Sequence, residues 1–293
     1  MHRPRAIHFD RDGTLPRPVL DLSNSTSCRR RCLTNGMTMI RWCCCLVLGL
    51  SVTASFAQAP AAISPDSTID QLLDALDARG DTLNTLVADV AKSESDASLG
   101  EDPATADTRL GRVVYERKPD GDVRIRASFD KVRSGEKVRS DRVEYVLENG
   151  ELIDRNYRGR AETRRVVRKP GEKLELFRLG RGPLPLPIGQ AREDVLAEFE
   201  VTRVAGAPDD PANTVHVKLS PKPGTDLARD FLSIDVWVDL TDHLPRRMET
   251  LNVTGTQLVR TELSNVKINA PVKDSDFVLE KIDPDQWQIN RGE

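Results

Sequence analysis

Residues 122–130 read DVRIRASFD: Val123, Ile125, Ala127 and Phe129 alternate with Arg124, Arg126, Ser128 and Asp130. Successive side chains of a β-strand point to opposite faces, so a strict period of two sends the apolar set to one side of a sheet and the charged set to the other. Parallel strands covered by helices on both faces read instead as continuous apolar runs. The stretch therefore predicts an antiparallel sheet with one wet face. The same period recurs outward along the chain. Val143, Tyr145 and Leu147 alternate with Glu144 and Glu148; Val215, Val217 and Leu219 with His216 and Lys218; Ile234, Val236 and Val238 with Asp235 and Asp239. Turn signatures separate these runs at KPDGD (118–122), RSGEK (133–137), LENGE (147–151), KPGEK (169–173) and SPKPGTD (220–226). The pattern is a meander of long antiparallel strands, without crossover helices and without a repeat of fixed period.

Composition narrows the function. The chain has 293 residues, 38% of them hydrophobic, enough to bury a sizeable core. A formal net charge of -3 and an aromatic content of 4% supply neither the basic surface nor the stacking platforms that nucleic acid requires, so no nucleic-acid partner is expected. All five cysteines (Cys28, Cys32, Cys43, Cys44, Cys45) precede residue 46, which leaves the body without a disulfide framework or a thiolate metal site. That body has two histidines, His216 and His243, and both are expected to be structural. No metal and no cofactor is expected.

The amino-terminal region reads as targeting sequence. Residues 37–59, MTMIRWCCCLVLGLSVTASFAQA, combine Arg41, an apolar run from Cys43 to Phe56 and small residues at Ser55, Ala57 and Ala59. This is the pattern of a secretory signal peptide, with cleavage after Ala57 or after Ala59. Residues 1–36 then form a leader ahead of the natural start near Met37 or Met39, consistent with a mis-assigned start codon, and residues 60–293 form one domain that is exported to the periplasm. Within the leader, FDRDGTL (9–15) resembles the phosphate-transfer signature of haloacid-dehalogenase-like phosphatases, with Asp10 as nucleophile and Asp12 as general acid. That family implies a parallel sheet with helices between its strands, and the body reads as neither. The one Asp-Asp pair, Asp209 and Asp210, sits in the turn GAPDDPAN. The short motif is read as coincidence, and a phosphatase is kept as a remote alternative.

Two segments interrupt the strands. DSTIDQLLDALDARG (66–80) offers Asp66, Ser67 or Thr68 as caps, Ile69, Leu72, Leu73 and Leu76 at helical spacing and Gly80 as a stop, which predicts one amphipathic helix. TLNTLVADVAKS (82–93) follows as a first strand, and the acidic stretch 94–108, with Glu94, Asp96, Glu101, Asp102 and Asp107, is expected to be a solvated loop because its spacing is not that of a calcium loop. The segment 172–201 is punctuated by proline around Leu184, Leu186 and Ile188 before a short helix from Ala191 to Phe199. So much apolar surface is expected to pack onto the apolar face of the sheet, as a core-covering loop or as a displaceable lid.

The carboxyl-terminal third carries a more specific likeness. Trp237, Val238 and Asp239 close a strand, Leu244 and Pro245 end the next turn, and Arg247, Met248 and Glu249 open the following strand. Gly255 then marks a turn, Asn265 and Val266 a strand end, and Phe277 a final anchor. In this order, from about residue 67 to 285, the chain resembles the outer-membrane lipoprotein carrier and sorting family of the LolA type. The resemblance implies an α+β fold, a strongly curved antiparallel sheet forming an unclosed β-barrel whose concave apolar face is covered by helices and a loop. It also implies a non-enzymatic periplasmic carrier that shelters the acyl chains of lipoproteins, or another lipid, on the way to the outer membrane. The wall of such a cavity would be Val123, Ile125, Phe129, Val143, Tyr145, Val215, Val217, Ile234, Val236 and Val238, and its lid Leu184, Leu186 and Ile188. Partners would be lipidated proteins or free lipid, an inner-membrane release complex and an outer-membrane acceptor, with the protein itself a monomer. A non-catalytic sensor or interaction module on the same fold is the alternative.

No Ser-His-Asp, Cys-His or paired-carboxylate arrangement provides a seat for catalysis. The basic stretch from Arg155 to Lys173, with Arg158, Arg160, Arg164, Arg165, Arg168 and Lys169, is expected to be a solvated strand face.

Overall fold

The computed structural model describes residues 62–167 and 189–292. Two helices, α1 (Ile69–Thr82) and α2 (Arg192–Glu198), accompany twelve strands: β1 (Thr85–Asp96), β2 (Thr108–Arg117), β3 (Val123–Ser134), β4 (Lys137–Glu148), β5 (Glu151–Asn156), β6 (Ala161–Val166), β7 (Phe199–Arg203), β8 (Thr214–Pro221), β9 (Phe231–Asp239), β10 (Pro245–Asn252), β11 (Gln257–Ile268) and β12 (Gln288–Arg291). All twelve belong to one sheet in the order β12-β6-β5-β4-β3-β2-β1-β11-β10-β9-β8-β7. Two meanders, β1 to β6 and β7 to β11, are joined where β1 pairs with β11, and β12 and β7 end the sheet without meeting. This is the α+β, unclosed antiparallel architecture that the alternation and the resemblance predict. Among the described strands the one parallel pairing is β12 alongside β6.

The sheet bends where its register slips. Bulges interrupt β1 against β11, β2 against β3, and β3 against β4, and each extra residue bends and twists its strand. Asn265, read from the sequence as a strand end, sits at the first bulge with φ 50° and donates from Nδ2 to Asp89 at 2.6 Å. A short polar side chain tolerates that left-handed backbone, which explains asparagine there. At the second bulge Gly111 lies so close to β3 that a Cβ would stand 2.0 Å from the Ser128 carbonyl oxygen.

Helix α1 begins where the sequence places a cap. The Thr68 hydroxyl accepts from the Gln71 amide at 3.3 Å and the Gln71 side chain accepts from the Thr68 amide at 2.8 Å, a reciprocal capping box. Its end differs from expectation, running to Thr82 beyond Gly80. Arg117 donates to the carbonyls of Gly80 (2.6 Å) and Asp81 (3.2 Å), so a side chain from β2 satisfies the helix end in place of a glycine turn. Gly80 instead lets Gly189 approach, its Cα lying 3.1 Å from where a Gly189 Cβ would be. The acidic stretch also differs in part. Glu94 and Asp96 still belong to β1, and Glu94 pairs with Lys92 at 2.9 Å.

The expected wet face of β3 to β6 is covered. From residue 274 the chain returns across it. Arg124 pairs with Asp274 (2.7 Å), Arg126 donates to the carbonyls of Asp276 and Val278, Arg142 pairs with Glu280 (2.7 Å), and Tyr157 meets Trp287 edge to face. Phe277 is buried under the Arg124 guanidinium, 4.1 Å from its ring centre. Glu144, read as solvent-facing, is therefore almost wholly buried and takes hydrogen bonds from Arg126, Arg142 and Tyr157. Arg155, read as part of a solvated basic face, is buried against Glu162, which also accepts from Arg164. Arg158, Arg160 and Arg165 are exposed and Arg164 is half-buried, while Arg168, Lys169 and Lys173 lie outside the described residues.

Candidate functional site

The register across the strands puts the ten residues expected to form a wall on the inner face of the sheet: Phe129 lies opposite Val143, Val217 opposite Val236, and Val215 opposite Val238. The inner face is not one uniform wall. Val123, Ile125 and Phe129 belong to a cluster with Leu86, Val90, Val113, Tyr115 and Leu147, against which Tyr145 packs. Val215, Val217, Ile234, Val236 and Val238 belong to a second cluster with Leu72, Leu73, Ala75 and Leu76 of α1 and Val195 of α2. The two helices fill the inner face over β8 and β9. The gap left between Leu73, Leu76, Val195, Val217, Leu219 and Val236 is about 10 Å³, less than a water molecule needs.

Beyond the helices the inner face opens. A cleft of about 480 Å³ is lined by Phe129, Val132, Val143 and Tyr145 with Ala161 and Thr163, and its rim carries Lys92, Glu94, Asp107, Arg109, Arg139, Asp154 and Asn156. Phe129 and Tyr145 meet edge to face at 6.3 Å and form the aromatic part of the floor. The rim cations are already paired. Lys92 holds Glu94, and Arg109 (3.0 Å) and Arg139 (3.6 Å) share the buried Asp141. The cleft is amphipathic, with an apolar floor of the size of a small-molecule site and a charged end.

Of the expected wall, then, Phe129, Val143 and Tyr145 line the cleft, the first two nearly buried; Val123 and Ile125 belong to the adjoining cluster away from it; and the five residues of β8 and β9 are covered by helices. The expected lid, Leu184, Leu186 and Ile188, lies outside the described residues, as do the leader with Asp10 and Asp12 and the signal segment 37–59. Sequence reasoning missed Asp154. Its strand pairs with β4 so that Asp154 stands opposite Tyr145 on the inner face, flanked by the inward positions Leu152 and Asn156. The available signal was a carboxylate at a position where the alternation of β4 calls for an apolar partner. Burial pushes the Asp154 carboxyl above its ordinary range against the opposing charge of Arg165, and burial together with the Asp154 charge pushes up the Tyr145 phenol.

No protein-family model and no curated protein matches the chain. Solved structures do. An uncharacterized conserved protein from Thermus thermophilus aligns at 12% identity over 76% of this chain and 98% of its own, with a TM-score of 0.41. The Pseudomonas aeruginosa MucA/MucB complex aligns at 14% identity over 72% of this chain and 60% of that one, with a TM-score of 0.41. An outer membrane lipoprotein-sorting protein domain from Vibrio parahaemolyticus aligns at 13% identity over 71% and 95%, with a TM-score of 0.33.

The motif residues of the carboxyl-terminal resemblance turn out to be structural. Trp237 stacks on His216 at 3.9 Å between ring centres, donates its indole N–H to Asp210 at 2.6 Å and lies under Arg247. Asp210, half of the acidic pair in the GAPDDPAN turn, is thereby the acceptor that orients the tryptophan. Asp239 accepts from the amides of Thr241 and Asp242 and closes the β9–β10 turn, in which His243 takes φ 58°. Burial, with the nearby Arg79, holds the His243 imidazole below its ordinary range, as for a neutral structural histidine. Among the described residues there is no group of three or more His, Cys, Asp or Glu side chains placed to hold a metal ion. No described helix is long and apolar enough to cross a membrane.

Proposed function

We propose that the protein is an exported, periplasmic, non-catalytic binding protein that shelters the acyl chain of a lipoprotein or another lipid in the cleft over β3 to β6, as a carrier towards the outer membrane. The observation that carries this reading is the cleft of about 480 Å³ bounded by the nearly buried Phe129, Val132 and Val143 and the half-buried Tyr145, beside a half of the same face that helices fill. Each methylene transferred from water to such a floor contributes about 0.8 kcal/mol, so binding requires no reactive group. Its working partners are then a lipidated protein or free lipid, a release complex at the inner membrane and an acceptor at the outer one, with the protein acting as a monomer without a cofactor.

The two halves of the inner face should respond differently to mutation. Tyr145→Ala is expected to weaken binding of a fluorescent fatty acid by about tenfold, since it removes one aromatic side chain from the floor. Val217→Ala, beneath the helices, should cost about 2 kcal/mol of stability and leave probe affinity within about twofold. Probe titration and thermal melting of both variants check this; equal effects on affinity would overturn the assignment of the cleft. Mass spectrometry of the protein purified from cells should also show a co-purified acyl species. Export has its own test: amino-terminal sequencing of the mature protein should begin at Gln58 or Pro60, and a stable product retaining Asp10 would overturn it.

A further inference from the structure

We propose that Asp154 is the recognition point of the cleft, accepting the ammonium group of an amphiphilic ligand whose hydrocarbon chain lies on Phe129, Val143 and Tyr145. The inference rests on the acyl-binding reading above and specifies the head group that the site selects. It starts from a mismatch in the sheet. Asp154 lies opposite Tyr145 in the antiparallel register of β4 and β5 and lines the cleft together with Phe129 and Val143. A carboxylate on an apolar floor is costly unless something pairs with it. Among the described residues Asp154 has no hydrogen-bond or ion-pair partner; the charge of Arg165 opposes its own, while Lys92 is held by Glu94, and Arg109 and Arg139 by Asp141. Asp107, also on the rim, adds a further negative charge.

Asp154 thus offers a carboxylate beside the apolar floor, opposed by the charge of Arg165 but by no direct contact among the described residues. A fatty acid would gain the apolar floor but bring its carboxylate beside that of Asp154, which weakens its binding. A long-chain alcohol would gain the apolar floor alone. A primary alkylammonium gains the floor and a charge-assisted hydrogen bond to a partly desolvated carboxylate, where such bonds are strong. Burial raises the affinity of the Asp154 carboxyl for its proton, and the charge of Arg165 only partly offsets it.

The test compares dodecylamine, dodecanol and dodecanoate, each below its aggregation concentration, by displacement of a neutral fluorescent probe from the full mature protein. Dodecylamine is expected to bind at least tenfold more tightly than dodecanoate. In Asp154→Asn that preference should fall below threefold while dodecanol affinity stays within twofold. The isosteric amide removes a partly buried charge, so the variant should melt at or above the temperature of the unchanged protein, which separates the result from misfolding. Equal binding of all three ligands, or a preference that survives Asp154→Asn, overturns the inference and leaves the acyl-binding reading standing. Failure of all three to bind removes both.

Discussion

Replacing Glu162 with glutamine is expected to destabilise the protein by about 3–5 kcal/mol, the cost of leaving one partner of a buried ion pair without its counter-charge. Both members lie under the returning carboxyl-terminal segment. Arg155 is 3% exposed and Glu162 0% exposed, so solvent cannot screen what the substitution leaves behind. Arg155 binds the Glu162 carboxylate through Nε at 2.8 Å and through a second guanidinium nitrogen, and Arg164 binds the other oxygen at 2.6 Å. The glutamine carbonyl can accept from Arg155 or from Arg164, but its NH2 then faces the other guanidinium and the charge is lost. For a domain of this size the loss corresponds to a fall in melting temperature of roughly 6–20 °C. The double variant Arg155→Met, Glu162→Leu should recover most of it, because an apolar pair of similar volume removes the desolvation cost along with the attraction. A single Glu162→Gln variant that melts like the parent would show that the pair contributes nothing.

The same pair predicts a pH dependence. Burial pushes the Glu162 carboxyl up, but hydrogen bonds and charge from Arg164 and Arg155 outweigh it and hold the carboxyl below its ordinary value; Glu144, bonded to Tyr157, Arg126 and Arg142, is held down likewise. A carboxyl whose pKa is lower in the folded state contributes stability that is fully present above its unfolded value and is lost as pH falls through the folded one. The loss should thus set in below about pH 4.5. Denaturant titrations across that range should show a shallower acid slope for Glu162→Gln than for the parent.

Gly111→Ala is expected to be the other severe change. Its Cβ would meet the Ser128 carbonyl oxygen at 2.0 Å and the Phe129 Cα at 2.8 Å, and these are backbone atoms that no rotamer change can move aside. Strands β2 and β3 must then separate at their bulge, which loses ladder hydrogen bonds and displaces Phe129 from the cleft floor. Overpacking a core typically costs about 1–3 kcal/mol, and a clash between two main chains belongs at or above the upper end. Binding of a fatty-acid probe should fall with it. Gly159→Ala, whose Cβ would find no neighbour closer than 3.7 Å, should change stability by less than about 0.5 kcal/mol. Thermal melts of the two variants decide the point, and a Gly111→Ala midpoint within about 2 °C of the parent, roughly 1 kcal/mol or less, would refute the close approach.

Local chemistry determined the strands and their inner faces. The period of two at Val123 to Phe129, Val215 to Leu219 and Ile234 to Val238 holds in the structure, as do the turns between the described strands and a cap for α1 among Asp66, Ser67 and Thr68, which is Thr68. These features depend on side-chain direction and hydrogen bonds within a few residues, so they are written in the chain itself. What lies over each face is not. Arg124, Arg126 and Glu144 have the pattern of solvated positions, yet a segment roughly 130–150 residues later folds back and buries Glu144 among arginines. Val217 and Val143 have the same apolar alternation, yet α1 and α2 cover one and leave the other on the floor of a cleft. Asp154 reads as one more polar residue in a short strand until the register with β4 sets it opposite Tyr145. Periodicity reports which way a side chain points; what it meets there is set by packing between distant segments, whose contacts no local pattern encodes.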